Sequence, residues 1–108
     1  MFFDNYQNHR EAQIRPSLLW EYELKDFDWV AMRTLVLQRV IERGRATDFY
    51  AALNLYGLSG FKEGVKNIPY LNAKDIAFVC TIFDIKKREL KCTIQKQSRL
   101  KLLKSLTG

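Results

Sequence analysis

The sequence predicts an all-α protein, a compact bundle of about five short helices with a basic C-terminal helix. Apolar residues recur at spacings of three and four along several segments, which places them on one helical face. Residues that start and end helices bracket these segments, as Asp28 and Gly44 do for the clearest one. The 108 residues fit one domain, and 47% hydrophobic residues are enough for a real core.

The clearest predicted helix runs from Trp29 to Arg43. Asp28 is the expected N-cap, with Asp26 as the alternative, and Gly44 is expected in the left-handed conformation that ends many helices. The expected core face of this helix consists of Trp29, Met32, Leu35, Val36, Val40 and Ile41.

Further short helices follow this one. Thr47 is the expected N-cap of a helix over residues 48–56 that Gly57 ends, and residues 59–68 predict another. Asn72 opens a nearly continuous apolar segment over residues 73–83, which predicts a central buried helix, with a strand at residues 76–83 as the alternative. Residues 17–22 predict one short helical turn, and residues 86–106 a basic helix, with an interruption near Thr93 as the alternative.

We predict three parts along the chain. Residues 1–16 are polar and show no period, so that an N-terminal arm is expected there, and Arg15-Pro16 marks a boundary. Residues 17–92 form the helical domain, and residues 93–108 a basic C-terminal extension.

The net charge of +6 is concentrated at one end of the chain. Residues 1–85 carry 10 Lys or Arg against 11 Asp or Glu, whereas residues 86–108 carry 8 against 1. Such a segment suits DNA phosphates or an acidic protein face, and a solvated basic helix is the alternative. The candidate nucleic-acid-binding residues are Lys86, Lys87, Arg88, Lys91, Lys96, Arg99, Lys101 and Lys104.

No residue pattern points to catalysis. His9 is the single histidine and lies in the polar N-terminal segment, and the chain has no phosphate-binding glycine loop and no hydrolase motif. The carboxylates between Glu21 and Asp28 are better explained by capping and solvation than by a metal. We therefore expect a non-enzymatic protein without metal or cofactor.

Composition also bears on location. No apolar run approaches the length of a membrane span, and residues 1–5 lack the basic start of a secretory signal, so that a cytoplasmic protein without membrane contact is expected. Of the two cysteines, Cys80 sits in an apolar run and is expected to be a buried thiol that acts as a small hydrophobe.

A set of short motifs, taken in order, resembles a known family. The motifs are Trp20, Phe27-Asp28-Trp29, Arg39-Val40-Ile41-Glu42-Arg43-Gly44, Asp48-Phe49-Tyr50, Tyr56-Gly57, Leu71-Asn72-Ala73-Lys74, Phe78, Phe83-Asp84-Ile85 and Leu90-Lys91-Cys92. Over residues 16–92 they resemble small, poorly characterised bacterial proteins encoded beside AbiEii-type nucleotidyltransferase toxins. The resemblance implies a helical, antitoxin-like partner that neutralises a toxin by binding it, or represses its own operon, or does both.

Four residues are the candidate contacts for such a partner. Trp20 and Tyr22 lie in a linker-like segment, where aromatic side chains are available to another protein. Arg39 and Arg43 lie one turn apart at a helix end that could receive an acidic or phosphate-bearing partner. Capping and salt bridging within the chain is the alternative for these two arginines. A homodimer is a further possibility.

Overall fold

The computed structural model describes residues 3–92, and the regular elements in this part of the chain are all helices, with no β-strand. Three α-helices carry the fold: α1 is Arg33–Arg43, α2 is Ala46–Lys66 and α3 is Ala73–Ile82. Short 3₁₀ helices lie at Asp4–His9, Pro16–Leu19, Leu24–Asp26 and Lys87–Glu89. The all-α prediction is confirmed for the described residues, and the strand alternative within residues 76–83 is wrong.

Helix α1 begins later than the sequence suggested. Asp28 accepts a hydrogen bond from the Ala31 N–H at 3.0 Å, but residues 29–32 form turns, because Met32 has a non-helical conformation (φ −96°, ψ 12°). The buried face of the helix consists of Val36, Leu37, Val40 and Ile41. These side chains contact α2, so that the two helices enclose one side of the core.

Gly44 ends α1 for a different reason than expected. Its backbone is extended (φ −73°, ψ 153°), so the left-handed conformation predicted there is wrong. A Cβ atom at this position would instead clash with the Val40 carbonyl oxygen, to which the Gly44 N–H donates at 2.7 Å. Close approach of the backbone therefore requires the glycine.

Helix α2 contains the two helices that the sequence predicted on either side of Gly57. Gly57 has φ 73° and ψ 163°, a conformation open almost solely to glycine, and it kinks the helix there. Counting this interruption, the described residues have four α-helical segments rather than about five. The helix begins at Ala46, with Arg45 as N-cap, so the predicted cap at Thr47 is wrong. The cause is Asp48, whose carboxylate turns back to accept the Arg45 N–H at 2.8 Å.

Helix α3 begins as predicted, since the Asn72 side chain accepts the Asp75 N–H at 2.8 Å. The helix is not central, however. Ala77 and Thr81 are exposed and Cys80 is only partly buried, so the buried thiol expected at Cys80 is a partly buried one. Burial still raises the pKa of the Cys80 thiol.

The N-terminal segment packs on α2. Phe3 is buried and stacks on Phe49, with ring centroids 4.7 Å apart. The Asn54 amide donates to the carbonyl oxygens of Tyr6 and His9 at 2.8 and 3.2 Å. The polar segment expected to form an arm therefore lies against the helical domain from Phe3 onward, although the division at residue 16 itself stays a prediction.

The basic helix predicted from residue 86 does not begin there. Lys87–Glu89 is a 3₁₀ turn, and Leu90 is extended and fully buried. Burial of Ile85 and Leu90 on the core, on either side of this turn, explains why a continuous helix does not form here. The rest of the predicted helix, and the 93–108 extension, lie outside the described residues.

Candidate functional site

Trp20 is the most exposed aromatic side chain in the described part of the chain. It follows the 3₁₀ helix Pro16–Leu19, in which Leu18 and Leu19 are buried against the core. Trp20 itself is 76% exposed. A large indole in water beside two buried leucines makes this segment a candidate contact surface, because tryptophan is enriched at the energetic centres of protein interfaces.

Arg39 holds this segment in place from α1. Its Nη1 donates to the Leu18 carbonyl oxygen at 3.0 Å and to Glu21 Oε2 at 3.2 Å, and its Nη2 donates to Glu21 Oε1. The hydrogen bond from Arg39 lowers the pKa of Glu21, and the Glu21 carboxylate raises the pKa of Arg39. Arg39 thus forms hydrogen bonds to residues on both sides of Trp20. This contact is the intramolecular alternative that the sequence left open.

Arg43 stays at the surface, as its position at the end of α1 suggested. Its side chain is exposed and adds positive potential at Glu21. Its carbonyl oxygen accepts a hydrogen bond from Arg15 Nη2 at 3.2 Å. Of the two arginines, Arg43 is therefore the more available to another molecule.

A row of aromatic rings leads away from Tyr22. The Tyr22 and Phe27 ring centroids are 5.4 Å apart, and those of Phe27 and Trp29 are 4.7 Å apart, both edge to face. The Tyr56 hydroxyl fixes the far end by donating to the Trp29 carbonyl oxygen at 2.7 Å, and burial raises the pKa of Tyr56 to about 12. Tyr22, which the sequence put forward as a contact, is thus connected to Trp29 by packing.

Trp29 forms one wall of an open groove of about 430 Å³. The first half of α2 also lines this groove, through Ala51 and through Leu55, which is 49% exposed. We call this site the aromatic groove. Its lining residues are Ala12, Gln13, Ile14, Arg15, Pro16, Leu24, Trp29, Ala51 and Leu55.

The position of Arg15 in this wall depends on Asp48, which is fully buried at the start of α2. Asp48 accepts the Arg15 N–H at 3.0 Å, Arg15 Nε at 2.9 Å and the Arg45 N–H at 2.8 Å. Burial alone would raise the pKa of Asp48, but the hydrogen bonds from Arg45 and Arg15 outweigh it and hold that pKa below its ordinary value. A buried, charged and fully bonded carboxylate therefore joins the N-terminal segment to α2.

Sequence reasoning missed most of this groove. Ile14 and Leu24 lie in segments without helical periodicity, and Arg15 was interpreted only as a boundary before Pro16. The aromatic content of residues 20–29 was the one available signal. It identified Trp20 and Tyr22, neither of which lines the groove, whereas the groove joins Leu24 and Trp29 to parts of the chain that lie far away in sequence.

The basic candidates lie elsewhere. Lys86, Lys87, Arg88 and Lys91 are exposed. Glu89 accepts the Lys86 N–H at 3.2 Å and lies 4.0 Å from Lys66 Nζ, so that it compensates part of the local positive charge. The other four candidates, Lys96, Arg99, Lys101 and Lys104, lie outside the described residues.

One family model matches part of the chain. It is that of DUF6922, a family of unknown function, and the match covers residues 14–65. The matched range begins at Ile14 in the groove wall and includes Trp20, the aromatic row and Leu55. No curated protein and no solved structure matches the chain. The match shows that residues 14–65 are similar to an uncharacterised family, and it carries no function with it.

None of the helices in the described part of the chain has both the length and the apolar character that a membrane span requires.

Proposed function

We propose that this protein is a non-enzymatic, antitoxin-like bacterial protein of the cytoplasm that binds and neutralises a toxin of the nucleotidyltransferase type. The observation that carries the proposal is the aromatic groove, in which Trp29 and the half-exposed Leu55 line an open apolar surface. Trp20, in the segment that leads into the aromatic row, adds an exposed indole.

The physical reason to favour a protein partner is the combination of side chains. When a complementary surface covers aromatic and aliphatic side chains that were in water, the complex is stabilised by about 25 cal/mol for each Å² of apolar area buried. Interface centres are rich in Trp and Tyr, which bury much area and lose little conformational entropy.

The choice of a toxin as the partner comes from the family resemblance. The resembling proteins are encoded beside AbiEii-type toxins, and small helical chains without catalytic motifs are suited to bind such a neighbour. Trp20, Tyr22 and Arg43 are the contacts that we propose, and Arg39 acts by holding Trp20 in position.

The test is co-expression of the full chain with the nucleotidyltransferase-type product of the adjacent gene. We expect the two proteins to co-purify and the chain to restore growth that the toxin arrests. The variant with Trp20→Ser and Leu55→Gln should lose both effects. Tyr70→Gln is the matched control, because Tyr70 is 65% exposed and lies outside the groove lining. A chain that neither binds the toxin nor restores growth would refute the proposal.

A second candidate function is DNA binding through the basic C-terminal segment. The observation in its favour is that Lys86, Lys87, Arg88 and Lys91 are exposed within one short stretch. A protein that neutralises phosphates releases counterions, so that its affinity falls steeply with salt. This segment could serve repression of the operon alongside toxin binding.

Gel shifts at two salt concentrations test this second function. Replacing the four exposed cations by Gln should weaken binding about uniformly across DNA sequences and reduce the salt dependence. A control variant with Lys25→Gln and Lys62→Gln should bind like the unmodified chain, since both residues precede the basic segment. Equal binding by both variants would exclude this role.

A further inference from the structure

The segment that carries the aromatic row is also acidic. Residues 20–30 contain four carboxylates and one cation, Lys25. Glu21 is engaged by Arg39, but Glu23 and Asp26 are exposed, and both lie next to or within the 3₁₀ helix whose Leu24 lines the aromatic groove. Asp28 is exposed as well and directly precedes Trp29. We call Glu23, Asp26 and Asp28 the acidic border.

The charged side chain among the lining residues does not offset this border. Arg15 is the one charged residue in the lining, and its Nε faces Asp48 Oδ2 at 2.9 Å. Its Nη2 donates to the Arg43 carbonyl oxygen at 3.2 Å. The buried Asp48 carboxylate neutralises Arg15, and the guanidinium is held towards the protein. An approaching molecule therefore meets an apolar groove with net negative charge beside it.

From this juxtaposition we infer that the aromatic groove receives a segment of the partner protein that is both apolar and rich in lysine or arginine. The inference rests on the proposed function and adds the chemistry of the partner. Apolar side chains of that segment fill the groove beside Trp29 and Leu55, and its cations face the acidic border. Phosphate backbones and anionic lipid surfaces carry the wrong sign of charge for this face, so nucleic acid and membranes do not fit it.

The test uses the full chain and labelled synthetic peptides. The probe is a helix-forming peptide of leucine and lysine, about 14 residues or four turns long. One comparison peptide has glutamate in place of lysine, and another has serine in place of leucine. Fluorescence anisotropy should show binding of the leucine–lysine peptide at low salt, with both comparison peptides at least about tenfold weaker because each lacks one half of the match.

Two matched double variants assign the charge effect to the acidic border. Replacing Glu23 by Gln and Asp26 by Asn should weaken binding of the probe about threefold to tenfold at low salt and remove most of the salt dependence. The control replaces Glu63 by Gln and Asp84 by Asn, two exposed acids outside the groove, and should bind like the unmodified chain. Equal weakening by both variants, or preference for the glutamate peptide, would overturn the inference.

Experiments on the full chain also distinguish two other possible occupants of the aromatic groove. If neutralising Lys96, Arg99, Lys101 and Lys104 made the groove bind the probe much more tightly, the chain's own basic segment would be the occupant. Salt-sensitive self-association that the acidic-border variant abolishes would identify a second copy. Either result overturns the assignment to a partner protein.

The inference and the proposed function fail in different ways. Co-purification with the toxin that depends on Leu55 but not on the acidic border would leave the proposed function intact and refute the partner chemistry. If the Leu55 variant and the acidic-border variant both lose co-purification while the control at Glu63 and Asp84 keeps it, the result supports both the proposed function and the partner chemistry.

Discussion

Arg15 donates twice to Asp48, from its main-chain N–H at 3.0 Å and from Nε at 2.9 Å, across 33 residues of sequence. This contact ties the segment before Pro16 to the first turn of α2. It also satisfies a carboxylate that has no exposure to solvent. The groove wall formed by residues 12–16 depends on it, so the stability of the fold and the geometry of the candidate site share one interaction.

Substitution of Asp48 should be strongly destabilising. Asp48→Ala leaves three part-buried donors of Arg15 and Arg45 without their acceptor, and we expect a loss of about 2–4 kcal/mol in the free energy of unfolding. Asp26→Asn, at an exposed carboxylate, should change it by less than about 0.5 kcal/mol. Urea denaturation followed by circular dichroism measures both values. Equal stability of the Asp48→Ala variant and the unmodified chain would contradict the role given to this carboxylate.

The same carboxylate predicts the sign of a pH effect. Because the folded state holds the pKa of Asp48 below its ordinary value, its charge contributes stability above the unfolded pKa of about 3.9. That contribution is lost as pH falls through the lowered folded value. The stability difference between the unmodified chain and Asp48→Asn should therefore be constant near neutral pH and shrink below about pH 4. A difference that grows on acidification would show that the sign is wrong.

Three glycines of α2 should respond differently to alanine. Gly57→Ala should cost about 1–3 kcal/mol, since its backbone conformation is nearly closed to other residues although no atom lies near its Cβ position. Gly64→Ala should be destabilising for another reason, because the new Cβ would clash with Leu37. In Gly60→Ala the new Cβ meets only ordinary contacts, so the free energy of unfolding should increase by up to about 1 kcal/mol. Thermal unfolding of the three variants gives the order.

Trp20 should matter little for folding. It is 76% exposed, so Trp20→Ser should change the free energy of unfolding by less than about 0.5 kcal/mol. The remaining fluorescence of this variant then comes from Trp29, which is partly buried. The emission maximum of the variant should therefore lie at shorter wavelength than that of the unmodified chain. Trp29→Phe should give the opposite shift. Identical spectra for the two variants would contradict the difference in exposure.

Local sequence signals predicted the helices well and their packing poorly. Asn72 identified the start of α3 because a cap acts within three residues, and Gly57 identified the interruption of α2 because its cause is the backbone itself. The predicted cap at Thr47 failed because Asp48 also has a distant partner, Arg15, which no local pattern encodes. Burial of α3 was overestimated because apolar content alone does not reveal which side faces solvent.

In the candidate site, too, local signals were predictable from the sequence and tertiary contacts were not. Trp20 and Tyr22 could be found from composition, since aromatic residues cluster in one non-periodic segment. The groove could not, because it joins residues 12–16 to Leu24, Trp29 and α2 through tertiary contacts. Arg39 was identified as functional from its place at a helix end. The structure shows its bonds to Glu21 and Leu18, which no local pattern encodes, and its contact with a partner stays a prediction.

That positioning has a thermodynamic consequence for any complex. A tryptophan on a loose loop would have to be immobilised during association, at a cost in conformational entropy. Here Arg39 bonds the Leu18 carbonyl oxygen and the Glu21 side chain, on either side of Trp20, in the isolated protein, so part of that entropy is already lost on folding. The restrained chain around Trp20 should favour slow dissociation, since restraint before contact leaves more of the interaction energy to hold the complex together.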